Sequence, residues 1–255
     1  MAELRKNRAK HKLAAGGTVS VPLGPMSPDL VEYMCQLDFD AIWFEGEHGP
    51  VDFVHIPDLT RACDLWGKTS IVRVNQNNYG LIYRTFDCGA MGVAVPHINT
   101  GDEAREVVKA AKFAPVGLRG SFTNRQGIGV KDYFLKANDE TMVVILIEDI
   151  IAVENLDEIL KVDDIDVFFV APGDLAQTMG YPGRYDHPKV TATVERTIEK
   201  IVRSGRAAGT MVSDATVEKY AKLGVRFLSV AWTPWLMAGG QAYLDKVAGA
   251  AKKRK

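Results

Sequence analysis

AIWFEGEHGPVDF, residues 41–53, decides the fold. Four apolar residues run straight into Glu45, Gly46, Glu47 and His48, and then Gly49 and Pro50 break the chain. A short run that is apolar at every position reads as a strand covered on both faces, which is the habit of parallel sheets. Such a strand ending in two carboxylates and an imidazole fits one architecture well. In (β/α) barrels the loops beyond the carboxyl ends of the strands build the site.

The rest of the chain repeats the pattern. Further strands are predicted at 18–23 (TVSVPL), 70–74 (SIVRV), 91–96 (MGVAVP) and 142–148 (MVVILIE). Others follow at 166–172 (DVFFVAP), 207–213 (AAGTMVS) and 226–232 (RFLSVAW), and the stretch 40–45 makes eight. Helical spacing lies between them. Ser27 with Pro28 and Thr100 with a following acidic turn are helix starts, while Gly205 and Gly224 are helix stops. Strands alternating with helices, with no linker between halves, predict an α/β fold: a single (β/α)8 TIM-type barrel over residues 1–255. A doubly wound open sheet is the alternative. The glycine-rich stretch 114–130 is long for an internal loop and is expected to be a mobile flap beside the site.

Composition bounds the partners. The 255 residues are 47% hydrophobic, enough for one large core, and 31 basic against 32 acidic side chains leave a net charge of -1. That balance offers no nucleic-acid surface. The basic runs RKNRAKHK (5–12) and AAKKRK (250–255) read as solvated helix ends. Cys35, Cys63 and Cys88 are odd in number and lack CxxC spacing, so no disulfide framework or zinc–thiolate site is expected, and a reducing cytoplasm fits. No signal-peptide pattern is seen, and no apolar run approaches the roughly 20 residues of a membrane span.

The strand ends supply a short list: Glu45, Glu47 and His48, then Arg73, then Glu148 and Asp149, then Gly173 and Asp174. Glu148 and Asp174 close consecutive strands, which pair about 4.8 Å apart, a gap that one ion can bridge with two carboxylates. Two hard oxygens leave positions for water and substrate, which suits Mg²⁺ or Mn²⁺, with Co²⁺ or Zn²⁺ as alternatives. Either acid alone could instead cap the helix that follows it. Arg73, in an apolar run, needs an anion; its fork fits a substrate carboxylate, or equally a protein acid. His48 is a candidate general base. His97 follows the fourth strand and could line the mouth.

FEGEHGP, IVRVN, the stretch from FDCGAMGVAVPHINTGDEA to GLRG, and ILIED with APGDLAQTMGYPG resemble the HpcH/HpaI aldolases over residues 15–245. That resemblance implies a divalent-metal-dependent class II aldolase, which cleaves or forms 4-hydroxy-2-oxo acids from a pyruvate-type enolate and an aldehyde. It implies Glu148 and Asp174 as metal ligands, Arg73 on the pyruvate carboxylate, and His48 as the catalytic histidine paired with Asp87. It further implies a backbone amide at Gly173 for the carboxylate, Glu47 beside metal-bound water, and a homo-hexamer. This hexamer would be a trimer of dimers, with the last helix, residues 234–253, exchanged between neighbours. The sequence departs from the family pattern at Glu45, Leu146, Asp149 and Thr233, so the half of the site that receives the aldehyde differs. The same groups could serve another carbon–carbon lyase or a decarboxylase acting on a metal-chelated 2-oxo acid or acyl-CoA ester. They could also serve a non-catalytic barrel that binds a 2-oxo acid, although a binder needs no proton acceptor at His48.

Overall fold

A computed structural model describes residues 2–252. Eight strands form the centre: β1 (Val19–Leu23), β2 (Ala41–Glu45), β3 (Thr69–Arg73), β4 (Gly92–Val95), β5 (Met142–Ile147), β6 (Val167–Val170), β7 (Ala208–Val212) and β8 (Phe227–Ala231). Helix α1 (Arg8–Ala14) precedes them. Then α2 (Pro28–Cys35), α3 (Ile56–Leu65), α4 (Tyr79–Asp87) and α5 (Gly101–Ala111) follow the first four strands in turn. Helix α6 (Tyr133–Glu140) leads into β5, which is followed by α7 (Ile150–Glu154) and α8 (Leu156–Ile159). Helices α9 (Pro172–Thr178) and α10 (Pro188–Arg203) follow β6, α11 (Val217–Lys222) follows β7, and α12 (Thr233–Lys252) follows β8.

Every predicted strand is present, with ends within two residues of those expected. All the pairings are parallel and run in the order β1-β8-β7-β6-β5-β4-β3-β2. The Asp40 amide donates to the Ser20 carbonyl at 3.1 Å, which brings the two outer strands together and nearly closes a (β/α)8 barrel. The expected helix ends are also found. Ser27 accepts from the Leu30 amide, Thr100 and Glu103 form a reciprocal capping box, and Gly205 and Gly224 take φ of +80° and +95°.

Burial separates two layers. Trp43, Ile71, Ala94, Val144, Phe169 and Phe227 point into the barrel, whereas Val93, Ile145, Phe168 and Val170 face Ile82, Phe86, Val107 and Ile198 of the helices. Trp43, Phe169 and Phe227 make the floor beneath the mouth, with ring centroids 5.5, 6.5 and 6.1 Å apart. Gly209 makes room for them. A Cβ there would lie 2.9 Å from Phe169 and 3.2 Å from Phe227.

Two expectations are corrected. The first basic run is not simply solvated. Helix α1 closes the amino end of the barrel, where Arg8 and Lys12 reach the fully buried Asp40 at 3.1 and 2.9 Å. Lys10 meets Asp166 at 2.6 Å and His11 meets Glu140 at 2.8 Å. Acids that precede strands gather at that end, so a basic helix finds partners there. The C-terminal run lies largely outside the described residues, as does residue 253 of the expected last helix. The second correction concerns residues 114–130. Helix α5 carries the chain back to the amino end before this loop begins, so the loop sits opposite the mouth. It is tied down there: Arg119 bonds Asp87 at 2.8 Å, Asn124 bonds the Phe86 carbonyl at 2.6 Å, and Gln126 bonds the Gly89 carbonyl at 2.8 Å.

Candidate active site

The turn after β2 is built on its own glutamate. Glu45 accepts from the amides of Glu47 and His48 at 2.9 and 3.2 Å and from the Trp43 indole at 3.2 Å. Both glycines of the turn are sterically required. A Cβ on Gly46 would lie 2.5 Å from the Arg73 carbonyl oxygen, and one on Gly49 would lie 2.6 Å from that of Glu45. The Gly46 amide donates to that same Arg73 carbonyl at 3.0 Å, so the turn is fixed to the end of β3. Glu45 therefore shapes the loop that presents Glu47 and His48.

Arg73 stands at the centre of the mouth and is 8% exposed. Its guanidinium lies 3.0 Å from Glu148, 3.7 Å from Glu45, and against Glu47. Of the two partners left open by the sequence, protein acids hold it in this structure. Its Nε is buried without a hydrogen-bond partner. Glu148 is fully buried. Burial raises its pKa to about 7, Asp174 adds to the rise, and Arg73 and His97 oppose it. Burial likewise pushes Glu47 above the usual carboxylate range, against the pull of Arg73, His48 and His97.

Asp174 occupies the first turn of α9 and is half-buried. Its charge is among those that raise the pKa of Glu148. Gly173 precedes it, and a Cβ there would meet nothing within 4 Å. His48 is exposed, with Nε2 3.7 Å from Oε2 of Glu47. Among the described residues, no group of three or more His, Cys, Asp or Glu is placed to hold a metal ion. Glu148 and Asp174 nevertheless offer the hard carboxylate oxygens that a divalent cation such as Mg²⁺ or Mn²⁺ takes, Glu148 at the end of β5 and Asp174 in the first turn of α9.

Asp87 is not brought to this cluster within the chain. It ends α4 at the amino side of the barrel, where it holds Arg119 at 2.8 Å. Leu146 is a buried part of the barrel core, and Thr233 begins α12.

His97 joins the site more closely than its sequence position suggested. Its backbone is left-handed, φ +54°, and its amide donates to Oε1 of Glu148 at 2.9 Å. Its Nδ1 lies 3.0 Å from Asp149, and its Nε2 lies 3.7 Å from Oε1 of Glu47. Burial works against its protonation, but the hydrogen bond to Asp149, with Glu148 and Glu47 nearby, outweighs that and raises its pKa. The signal was its place directly after an apolar strand.

Residues 23–233 match the family model described as HpcH/HpaI aldolase/citrate lyase. A 2-keto-3-deoxy-L-rhamnonate aldolase of Klebsiella pneumoniae is 34% identical over 90% of this chain and 88% of its own. A 4-hydroxy-2-oxo-heptane-1,7-dioate aldolase of Escherichia coli is 33% identical over 91% of each. The crystal structure of an HpcH/HpaI aldolase/citrate lyase family protein from Burkholderia cenocepacia superposes with a TM-score of 0.90. It is 27% identical and covers 95% of this chain and 100% of its own.

Proposed function

Because the chain belongs to the HpcH/HpaI aldolase/citrate lyase family, we propose that it is a class II aldolase, a carbon–carbon lyase for 4-hydroxy-2-oxo acids. It would work through a pyruvate-type enolate and an aldehyde, with the help of a divalent metal ion. One observation supports this above the rest: Arg73 and the buried Glu148 meet at 3.0 Å in the barrel mouth. A guanidinium for a carboxylate thus stands beside a carboxylate for a cation, the two grips that a 2-oxo acid requires.

Held by Glu148 and Asp174, Mg²⁺ or Mn²⁺ would put positive charge where the keto oxygen gains electron density as the enolate forms. Arg73 exchanges a protein acid for the substrate carboxylate, and its unpaired Nε gives it a donor to spare. The Gly173 amide, in the first turn of α9, takes part in holding the same carboxylate. In cleavage, His48 accepts the proton of the 4-hydroxyl as the carbon–carbon bond breaks and passes it to the methylene carbon of the enolate, giving pyruvate; in synthesis it takes a methyl proton from pyruvate and delivers it to the aldehyde oxygen. Its exposure leaves it free to reach a substrate that enters from solvent. Glu47, between Arg73 and two imidazoles, orients water beside the substrate.

Asp87 can serve as the partner of His48 only from a second copy, since its own chain keeps it at the far end of the barrel. The working unit is accordingly a homo-oligomer, a trimer of dimers with α12 exchanged between neighbours. Three free cysteines suit a reducing cytoplasm.

The test is proton exchange at the pyruvate methyl group in deuterated water, followed by NMR with and without Mg²⁺ or Mn²⁺. The methyl signal should fade only with metal, and Arg73→Ala and His48→Ala should each slow the loss by about a hundredfold. A folded, metal-loaded protein that leaves the methyl signal intact would remove the enolate, and with it this reading.

A further inference from the structure

Arg119 is held from several directions at the amino end of the barrel. Its guanidinium lies against two aromatic rings, 4.6 Å from the centroid of Phe113 and 5.0 Å from that of Phe86. Its backbone is docked on the end of α5, where the Leu118 and Arg119 amides donate to the Lys109 and Lys112 carbonyls at 2.8 and 2.9 Å. Gly117 permits that approach, since a Cβ there would lie 2.9 Å from the carbonyl oxygens of Val108 and Lys109. The side chain then reaches Asp87, the last residue of α4, and donates from Nη2 to Oδ1 at 2.8 Å.

The two members of this pair differ in exposure. The Arg119 side chain is 1% exposed and that of Asp87 is 18% exposed. The guanidinium is thus the buried support, and the carboxylate is the part that a neighbour can meet. The pairing is also one-sided. Nε of Arg119 is buried without a partner, and among the described residues no donor reaches Oδ2 of Asp87. A tether that served stability alone would gain most from a two-point fork on the carboxylate. Here one oxygen is fixed and the other is left over.

We infer that Arg119 is a positioning residue for proton transfer: it fixes the Asp87 carboxylate by one oxygen, so that the other accepts a hydrogen bond from His48 of a neighbouring copy. The inference rests on the reading in which Asp87 serves the His48 of a second copy. An aspartate loose at a surface spreads over several rotamers, and an imidazole that depends on it loses its orientation with it. A locked carboxylate orients the ring and decides which of its nitrogens carries the proton. Arg119 itself touches no substrate. Its effect therefore belongs to the rate of proton transfer and not to the grip on the 2-oxo acid, which Arg73 provides.

Pyruvate methyl exchange in deuterated water, with the full-length protein and Mg²⁺ or Mn²⁺, tests the idea. Arg119→Met keeps an apolar stem against Phe86 and Phe113 but removes the hold on Asp87. It should slow exchange about thirtyfold and leave the half-saturating pyruvate concentration unchanged. Arg119→Lys keeps a cation for Oδ1 and should recover part of that loss. Its smaller defect, again in rate and not in saturation, carries the test if Arg119→Met does not fold. The decisive arm is mixing by co-expression. With His48→Ala, Arg119→Met should recover to about a quarter of the wild-type rate, because an intact His48 then meets an intact Asp87–Arg119 pair. With Asp87→Ala it should recover nothing, because both defects lie on the donating surface. A wild-type exchange rate in Arg119→Met overturns the inference. So does a loss that His48→Ala does not complement, which would make Arg119 a support for its own barrel only. The mixture of His48→Ala with Asp87→Ala separates the two failures. If that mixture recovers and Arg119→Met does not, the positioning role alone falls; if it does not recover, the shared site falls and the inference with it.

Discussion

Lys112 carries an ammonium group into the layer between α5 and α6, where it is 1% exposed. It donates to the carbonyls of Asn138 and Thr141 at 2.9 and 2.7 Å. Burial, with Lys10 nearby, lowers its pKa from 10.5 to about 8. The folded protein therefore gives up this proton earlier than the unfolded chain does. Below about pH 8 both states hold it and the group adds no pH dependence; between about 8 and 10.5 the unfolded chain holds more protons, so stability rises with pH. The full gain is about 3 kcal/mol. Urea unfolding at pH 7.5 and pH 10 should show the wild type gaining about 2–3 kcal/mol relative to Lys112→Met. A difference that stays constant with pH would mean that the amine is hydrated. No sequence pattern announced this lysine, since a single cation near a helix end reads as exposed. The same limit hid the full part played by His97. A positive φ is set by what its neighbours hold, not by the letters PH, whereas Arg73 was legible because a guanidinium in an apolar run has to find an anion.

Elements were far more legible than single side chains, and the reason is periodicity. A run such as MVVILI is apolar on both faces only if it lies between a barrel core and a helix layer, and β5 is buried along its whole length. Loops and caps carry no such redundancy. Residues 114–130 looked like a flap because they are long and glycine-rich, but the direction of α5 decides at which end of the barrel they emerge. Helix α1 teaches the same lesson with charge. Its basic residues are partners of acids that lie far away in sequence, and the buried Asp40 receives Arg8, Lys12 and the Ser20 amide. Removing both cations leaves that carboxylate buried without compensation. The double variant Arg8→Ala/Lys12→Ala should lose about 3–5 kcal/mol of stability in urea unfolding. Adding Asp40→Asn should restore a good part of the loss, because the uncompensated charge goes with it. If the triple variant is no more stable than the double, α1 is held by its apolar contacts through Ala9 and Leu13 and the ion pairs are incidental.

At the scale of the whole molecule, two features are unfinished within one chain. Helix α12 leaves the barrel with Leu236, Met237, Tyr243, Leu244 and Val247 between 48% and 71% exposed, a surface that a second copy would cover. Among the described residues, no helix is long and apolar enough to cross a membrane. Asp87, which the family resemblance pairs with His48, ends α4 at the opposite end of the barrel. Both features are met if copies pack so that the amino end of one barrel borders the mouth of another. This arrangement predicts complementation. His48→Ala and Asp87→Ala should each be nearly inactive as homogeneous assemblies. Mixed by co-expression, or by unfolding and refolding together, they should recover about a quarter of the wild-type rate. Random assortment would return both intact groups to about one site in four. A dyad formed within one chain would give no recovery at any mixing ratio, since every site would lack one member. Leu244→Ser combined with Leu236→Ser should shift the assembly to smaller species by light scattering. With α12 no longer held by a neighbour, the complementation should fade together with the oligomer.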